Sequence, residues 1–190
     1  MIKEYPSRSA FYECLPKNAV GCEVGVMGGE NAQLILGAAT PREFHLIDLW
    51  EGHSGDPKIW RKYKRETKKR LAKHISRGTT RLHEGRVEEI LPTFGDSYFD
   101  FAYVDAHHDY ENVSRHLQLA IKAVKIGGVI AGHDFAVKPF LSPGVEGWKT
   151  GVCRAVIEVI QAGAGPMIAL SNKHFADYAI RLEKKVDVSG

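Results

Sequence analysis

The chain has 190 residues, 44% of them hydrophobic, and a formal net charge of only +3. That is enough for one medium-sized domain with a full core, and too nearly neutral to imply a bulk electrostatic partner. No 18-residue apolar run occurs, Met1–Arg8 has no hydrophobic h-region, and the three cysteines (Cys14, Cys22, Cys153) form no CxxC pair; the expectation is a cytoplasmic protein with reduced thiols and no signal peptide, membrane span, disulfide frame or zinc site.

Residues 1–17 read as an N-terminal cap segment, with a short helix around Ser9–Leu15 closed by Pro16. A first strand is expected at 19–26, a helix at 30–39, and a second strand at 43–49 after the break at Pro41. A polar loop over 51–58 leads to a helix at 59–77, with Trp60, Tyr63, Thr67, Leu71 and Ile75 on one face at steps of three and four. A short strand (Thr79–His83) turns at Gly85 into a helix carrying Val87, Ile90 and Leu91, and a buried strand follows at Phe99–Val104. The next helix puts Val113, Leu117, Ile121 and Val124 on its core face and stops at Gly127-Gly128, a C-cap signature. Then come a strand at Val129–Ala131, a Gly/Pro-rich loop at 136–150, a helix at 151–162, and two β-patterned runs, 167–170 and 175–182, joined by Ser171-Asn172-Lys173. Strand and helix alternate up to that hairpin, without repeats or linkers. This predicts a single α/β domain over 1–190, with a mostly parallel sheet and one antiparallel strand near its edge.

The stretch 19–31, Ala-Val-Gly-Cys-Glu-Val-Gly-Val-Met-Gly-Gly-Glu-Asn, reads as strand, glycine turn and helix start. Such a turn is where a ligand docks in an open α/β sheet, since glycine admits the backbone and first-turn N–H groups face outward. A dinucleotide fingerprint would need glycine at 23, where the chain has Glu23; a carboxylate suits an ammonium or sulfonium better than a pyrophosphate. Asp48, about 20 residues past the turn at the end of the second strand, is placed to accept from both ribose hydroxyls. Glu23, Gly25, Gly28, Gly29, Asn31 and Asp48 thus favour S-adenosylmethionine over NAD. Trp50 is a candidate to stack on adenine, or else covers the sheet edge. Gly85-Arg86 ends the third strand, with Arg86 either a cofactor contact or a surface charge.

The second cluster is Asp105-Ala-His-His-Asp-Tyr110. Asp105 is the first polar residue after a buried strand and emerges beside the turn, with His107, His108 and Asp109 following. His133-Asp134 ends the neighbouring strand, roughly 5 Å away in a parallel sheet. Asp105 and Asp134 can therefore converge on a hard cation such as Mg²⁺.

Glu23-x-Gly25-x-x-x-Gly29, Asp48, Asp105 and the closing hairpin resemble a class I S-adenosylmethionine-dependent methyltransferase over roughly residues 18–185. Tyr103-Val-Asp-Ala-His-His-Asp-Tyr110, Gly127-Gly-Val-Ile-Ala-Gly-His-Asp134 and Gly151-Val look more narrowly like the small bacterial subgroup that includes macrolide-sugar O-methyltransferases. The resemblance implies a Rossmann-like, mostly parallel seven-stranded sheet with an antiparallel C-terminal hairpin strand and helices on both faces. It implies a gain of cofactor contacts at Gly85, Arg86 and Asp105, metal-binding acids at Asp105 and Asp134, and His108 as general base. His133 departs from the pattern, because metal-dependent members carry an acid there. Imidazole lowers the ligand charge, so the alternatives are a weaker metal site, a borderline ion such as Mn²⁺ or Fe²⁺, or no metal and His133 as a base.

The implied activity is O-methylation of a small molecule or sugar hydroxyl, with 136–150 (Phe140, Pro143, Gly144, Trp148) as a lid over the acceptor. Lys58–Arg81 holds eleven Lys/Arg and one acid, leaving −7 on the rest of the chain. It is either a docking surface for an anionic acceptor or a solvated helix face; no aromatic residues interleave on it as single-strand nucleic-acid binding prefers. An NAD-dependent oxidoreductase or epimerase and a non-catalytic nucleic-acid-binding domain are the competing classes. Glu23 and the hairpin argue against the first, and the cofactor turn against the second. A homo-oligomer is compatible with the sequence.

Overall fold

The computed structural model describes residues 1–51, 56–136, 150–171 and 175–187. In chain order these form β1 (Lys3–Tyr5), α1 (Arg8–Phe11), a 3₁₀ turn (Tyr12–Cys14), β2 (Val20–Val24), α2 (Glu30–Ala39), β3 (Glu43–Asp48), α3 (Pro57–Arg70) and α4 (Ala72–Ser76). There follow β4 (Thr80–Glu84), α5 (Val87–Ile90), a 3₁₀ turn (Leu91–Phe94), β5 (Phe99–Val104), α6 (Tyr110–Ala123), β6 (Val124–Ala136), α7 (Thr150–Gln161), β7 (Met167–Ser171) and β8 (Phe175–Arg181).

The strands make one eight-stranded sheet in the order β1-β7-β8-β6-β5-β2-β3-β4. All neighbours are parallel except β8, which runs antiparallel to both β6 and β7. From β2 the chain steps outward through β3 and β4, then returns to β5 on the other side of β2. Strand order reverses between β2 and β5, the kind of switch point beside which open α/β sheets bind ligands.

Each sheet face carries its own core. On one, α6 and α7 bring Val113, Leu117, Val152 and Val156 against Cys22, Val24, Ala102 and Ile130. On the other, α1 and α2 bring Phe11, Ala32 and Ile35 against Phe44, Leu46, Phe101 and Tyr103. Burial on both sides explains the near-continuous apolar runs of the central strands. Gly21 is a tight point of the sheet, since a Cβ there would lie 2.1 Å from the Phe101 ring.

The structure departs from the sequence expectation in three elements. The N-terminal segment is not only a cap: Lys3–Tyr5 pairs with Ala169–Ser171 and adds an eighth strand to the seven expected. The helix expected over 59–77 breaks at the buried Leu71 (φ −101°, ψ 11°) into α3 and α4, while Thr67 and Leu71 hold the core side as the periodicity indicated. Val124 belongs to β6, where it pairs with Phe99, and Gly127-Gly128 shapes an irregular stretch of that strand instead of capping α6. A Cβ on Gly128 would come 2.7 Å from the Asp100 carbonyl oxygen, so the bend itself requires glycine. The expected lid residues Phe140, Pro143, Gly144 and Trp148, and the turn residues Asn172 and Lys173, lie outside the described residues.

Because Gly21 and Phe101 are wedged between packed layers, Gly21→Ala overpacks the core. Urea denaturation should show a loss of about 1–3 kcal/mol; unchanged stability would mean the ring has room to move.

Candidate active site

A cavity of about 620 Å³ opens at the C-terminal ends of β2, β3, β4 and β5. Its floor is the turn after β2. Gly25 (φ +87°) lies so close to the loop after β5 that a Cβ would sit 2.3 Å from the Asp105 carbonyl oxygen. The two loops are laced to the sheet by Gly25 N–H donating to Ile47 O (2.9 Å) and Asp105 N–H donating to Val24 O (2.8 Å). Glycine is demanded twice at this crossing, by dihedral and by space.

Asp48 fixes the turn from the side. Its Oδ2 accepts from the Val26 (2.7 Å) and Met27 (2.9 Å) amides and its Oδ1 from the Trp50 amide (2.6 Å). Met27, itself at φ 52°, has its carbonyl held by Thr67 Oγ1 (2.8 Å) and the Trp50 indole N–H (2.9 Å). Gly29 (φ +78°) caps α2. Gly28 lends its carbonyl to Arg70, which also pairs with Glu30.

Beneath the turn, Glu23 is fully buried. Its Oε1 accepts from Asn31 Nδ2 (2.9 Å), Asn31 Oδ1 accepts from the Tyr12 hydroxyl, and Glu23 Oε2 has no partner among the described residues. Burial pushes the Glu23 carboxyl well above the usual range, against the pull of the Asn31 amide.

At the β5 and β6 ends, Asp105, His108 and Asp134 each offer a ligand atom within 4.8 Å of the other two. His108 Nε2 is 2.7 Å from Asp134 Oδ2 and 3.6 Å from Asp105 Oδ1. A bulge brings Asp134 there: β6 fits Gly132 to Phe135 opposite Tyr178 to Ala176 of β8, one residue too many, and Asp134 takes φ 59°. Two carboxylates, Asp105 and Asp134, hold the His108 imidazole up to about 9, so it is imidazolium at neutral pH. Burial opposes ionisation of Asp134, yet hydrogen bonds from His108 and His133 outweigh it and hold that carboxyl well below the usual range.

The structure brings Gly25, Asn31, Asp48, Gly85, Arg86, Asp105 and His108 together on the cavity wall. The other candidates lie elsewhere. Glu23 stands behind the wall, where its Oε1 accepts from Asn31. Trp50 is 3% exposed and is not among the lining residues; Trp60, from α3, is. His133 is not in the Asp105–His108–Asp134 group but contacts it, with Nδ1 3.3 Å from Asp134 Oδ1. Gly28 and Gly29 shape the turn without lining the cavity.

Other wall residues escaped the sequence reading. His116 sits 1% exposed on the core face of α6, three residues past Val113, a spacing that could have flagged it. Burial pulls its imidazole down to about 4, and Nε2 faces Glu88 Oε1 at 3.5 Å. Arg8 also reaches the cavity, and nothing local in the sequence signals it. The basic segment partly closes on itself and its neighbours, through Lys62–Glu66, Lys64–Glu84 and Arg81–Glu43.

A family model described as a methyltransferase domain matches residues 22–135. The chain belongs to the methyltransferase-domain family. Similar solved structures include cofactor-bound Rv0187 from MTB, at 18% identity and TM-score 0.66 over 88% of this chain and 75% of that one. The O-methyltransferase TomG from Streptomyces achromogenes, in complex with SAM, is 22% identical with TM-score 0.63 over 88% and 74%. An rRNA methylase from Streptococcus thermophilus is 14% identical with TM-score 0.64 over 97% and 99%. A comparison with the curated proteins gives no match. In this methyltransferase the matched span runs from just before Glu23 to just past Asp134, so both clusters fall inside it, whereas Arg8 falls outside.

The raised His108 value has a measurable sign. Its pairing stabilises the methyltransferase fully below pH 6.5, and that contribution is lost as pH rises through about 9. Imidazole NMR of the metal-free protein should show His108 titrating near 9, and Asp134→Asn should bring it back toward 6.5; an unmoved midpoint would remove Asp134 as the partner.

Proposed function

We propose that this methyltransferase transfers a methyl group from S-adenosylmethionine to a hydroxyl oxygen of a small-molecule or sugar acceptor. One observation carries the reading: the glycine-floored cavity at the sheet's switch point shares Asp105 and His108 with the Asp105–His108–Asp134 cluster.

The residues present fit the cofactor. Gly25, Asn31 and Asp48 line the cavity, and the buried Glu23 Oε2 behind them lacks a partner among the described residues. Asn31, Gly25, Asp48, Gly85, Arg86 and Asp105 would hold it, with Trp60 as the aromatic wall. A carboxylate offers about four acceptor sites. Three of those on Asp48 are taken by backbone amides, which leaves Oδ1 for one ribose hydroxyl where the sequence suggested two. S-adenosylmethionine supplies a methyl group activated by a sulfonium; the chain supplies position and proton handling.

Asp105, His108 and Asp134 form a mixed oxygen and nitrogen donor set suited to a divalent cation, Mg²⁺ or more readily the borderline Mn²⁺. Such a cation would act as a Lewis acid on the acceptor hydroxyl. The His108 proton occupies the space between the same two carboxylates, so protonation of His108 and cation binding compete. With His108 on the cation, His133 beside Asp134 would take the hydroxyl proton; without a cation, a deprotonated His108 or His133 would take it.

Calorimetry should show binding of S-adenosylhomocysteine that Asp48→Ala weakens by about 1–3 kcal/mol, the cost of leaving buried polar groups unpaired. Binding of NAD without S-adenosylhomocysteine would overturn the reading. Titration with Mn²⁺ in buffers of different ionisation enthalpy should reveal proton release at pH 7, and Asp134→Ala should abolish Mn²⁺ binding while sparing S-adenosylhomocysteine. Full methyl transfer in excess chelator would remove the cation and leave the histidines acting alone.

A further inference from the structure

Arg8 is a cation on the cavity wall, supplied by the first turn of α1. Its guanidinium is not loose. Nε donates to Asp177 Oδ1 (2.9 Å), and Asp177 is fully buried. The same carboxylate accepts from the Tyr103 hydroxyl (2.6 Å) and Ser171 Oγ (2.8 Å). Asp177 is thus held from three elements, β5, β7 and α1, and in turn orients the guanidinium. Arg8 Nη2 is nevertheless buried with no hydrogen-bond partner among the described residues. A planar guanidinium held by one edge offers its remaining donors in a fixed fork, the geometry that takes a carboxylate.

A second orphan lies nearby. Glu23 Oε2 is a buried acceptor without a donor, its own carboxyl feels the Arg8 charge, and Asn31 links it to the same wall. Glu30, the exposed acid on this side, is already paired with Arg70. A cationic Arg8 on the wall, with Asn31 on the same wall and the Glu23 carboxyl hydrogen-bonded behind it, matches the carboxylate and ammonium ends of an α-amino acid.

We propose that Arg8 is the carboxylate anchor for an α-amino-acid head group in this cavity, with the ammonium facing the Asn31–Glu23 side. The inference rests on the S-adenosylmethionine reading, whose amino-acid end has this chemistry. It adds a specificity residue from outside the matched residues 22–135. It also gives β1 a purpose, because pairing Lys3–Tyr5 with β7 places α1, and with it Arg8, beside Asp177.

The test compares three ligands by calorimetry on the intact chain: S-adenosylhomocysteine, its decarboxylated analogue, and 5′-methylthioadenosine, which lacks the whole amino-acid end. Arg8→Gln should weaken S-adenosylhomocysteine about 10- to 100-fold, the range for one charge-assisted pair. The other two ligands should move less than about twofold. Arg8→Lys keeps a cation beside Asp177 without the fork and should fall between. Because Arg8→Gln strands Asp177, the Arg8→Gln/Asp177→Asn double variant repeats the comparison, with 5′-methylthioadenosine binding as proof of an intact cavity. Equal losses for all three ligands, or an unchanged S-adenosylhomocysteine affinity, would overturn the assignment of Arg8 alone. Failure of the unaltered protein to bind any of the three would overturn the cofactor reading and the inference with it.

Discussion

Gly25 and Asp105 meet backbone to backbone where the sheet reverses its strand order, and the rest of the site hangs on that contact. The meeting is possible because position 25 lacks a Cβ and takes φ +87°. It lets the loop after β2 cross the loop after β5, so one becomes the cavity floor and the other presents Asp105 and His108 at its side. Asp48 reinforces the arrangement from β3 by binding the amides of Val26 and Met27. A cradle held by backbone hydrogen bonds and one carboxylate that binds three amides is preorganised, and preorganisation is what lets orientation count in catalysis.

Charge inside the molecule is arranged in two different ways around this crossing. Asp134 and His108 form a compensated pair at the rim, where each stabilises the ionised form of the other. Glu23 is uncompensated: burial favours its neutral form, and one oxygen is left without a donor. A buried polar atom without a partner costs free energy, typically about 1–3 kcal/mol. Arg8 Nη2 is the same kind of atom with the opposite sign.

Much of this was legible in the chain, and the rest was hidden for identifiable reasons. The alternation of strands and helices, the glycine turn and the acids at strand ends follow from local periodicity and spacing, and Gly25, Asp48 and Asp105 line the cavity at those places. Spacing alone leaves Trp50 either stacking in the cavity or covering the sheet edge; its φ of 45° turns it inward to Met27, while Trp60 from the next helix takes the wall. The relation between His133 and Asp134 could not be read from alternation, because a bulge inserts one residue and re-aims the acid. Arg8 pairs with Asp177 across 169 residues, a contact with no local signature. The same holds for β1, three residues long, whose partner strand lies near the far end of the chain.

The account stands or falls on whether the cofactor occupies the crossing of these loops. Hydrogen–deuterium exchange with and without S-adenosylhomocysteine tests this directly, because it reports the backbone of all four loops at once. Protection should concentrate in residues 24–31, 48–51, 84–88 and 104–108, with the α3 and β4 interiors little changed. Protection confined to other segments, or none at saturating ligand, would contradict the account.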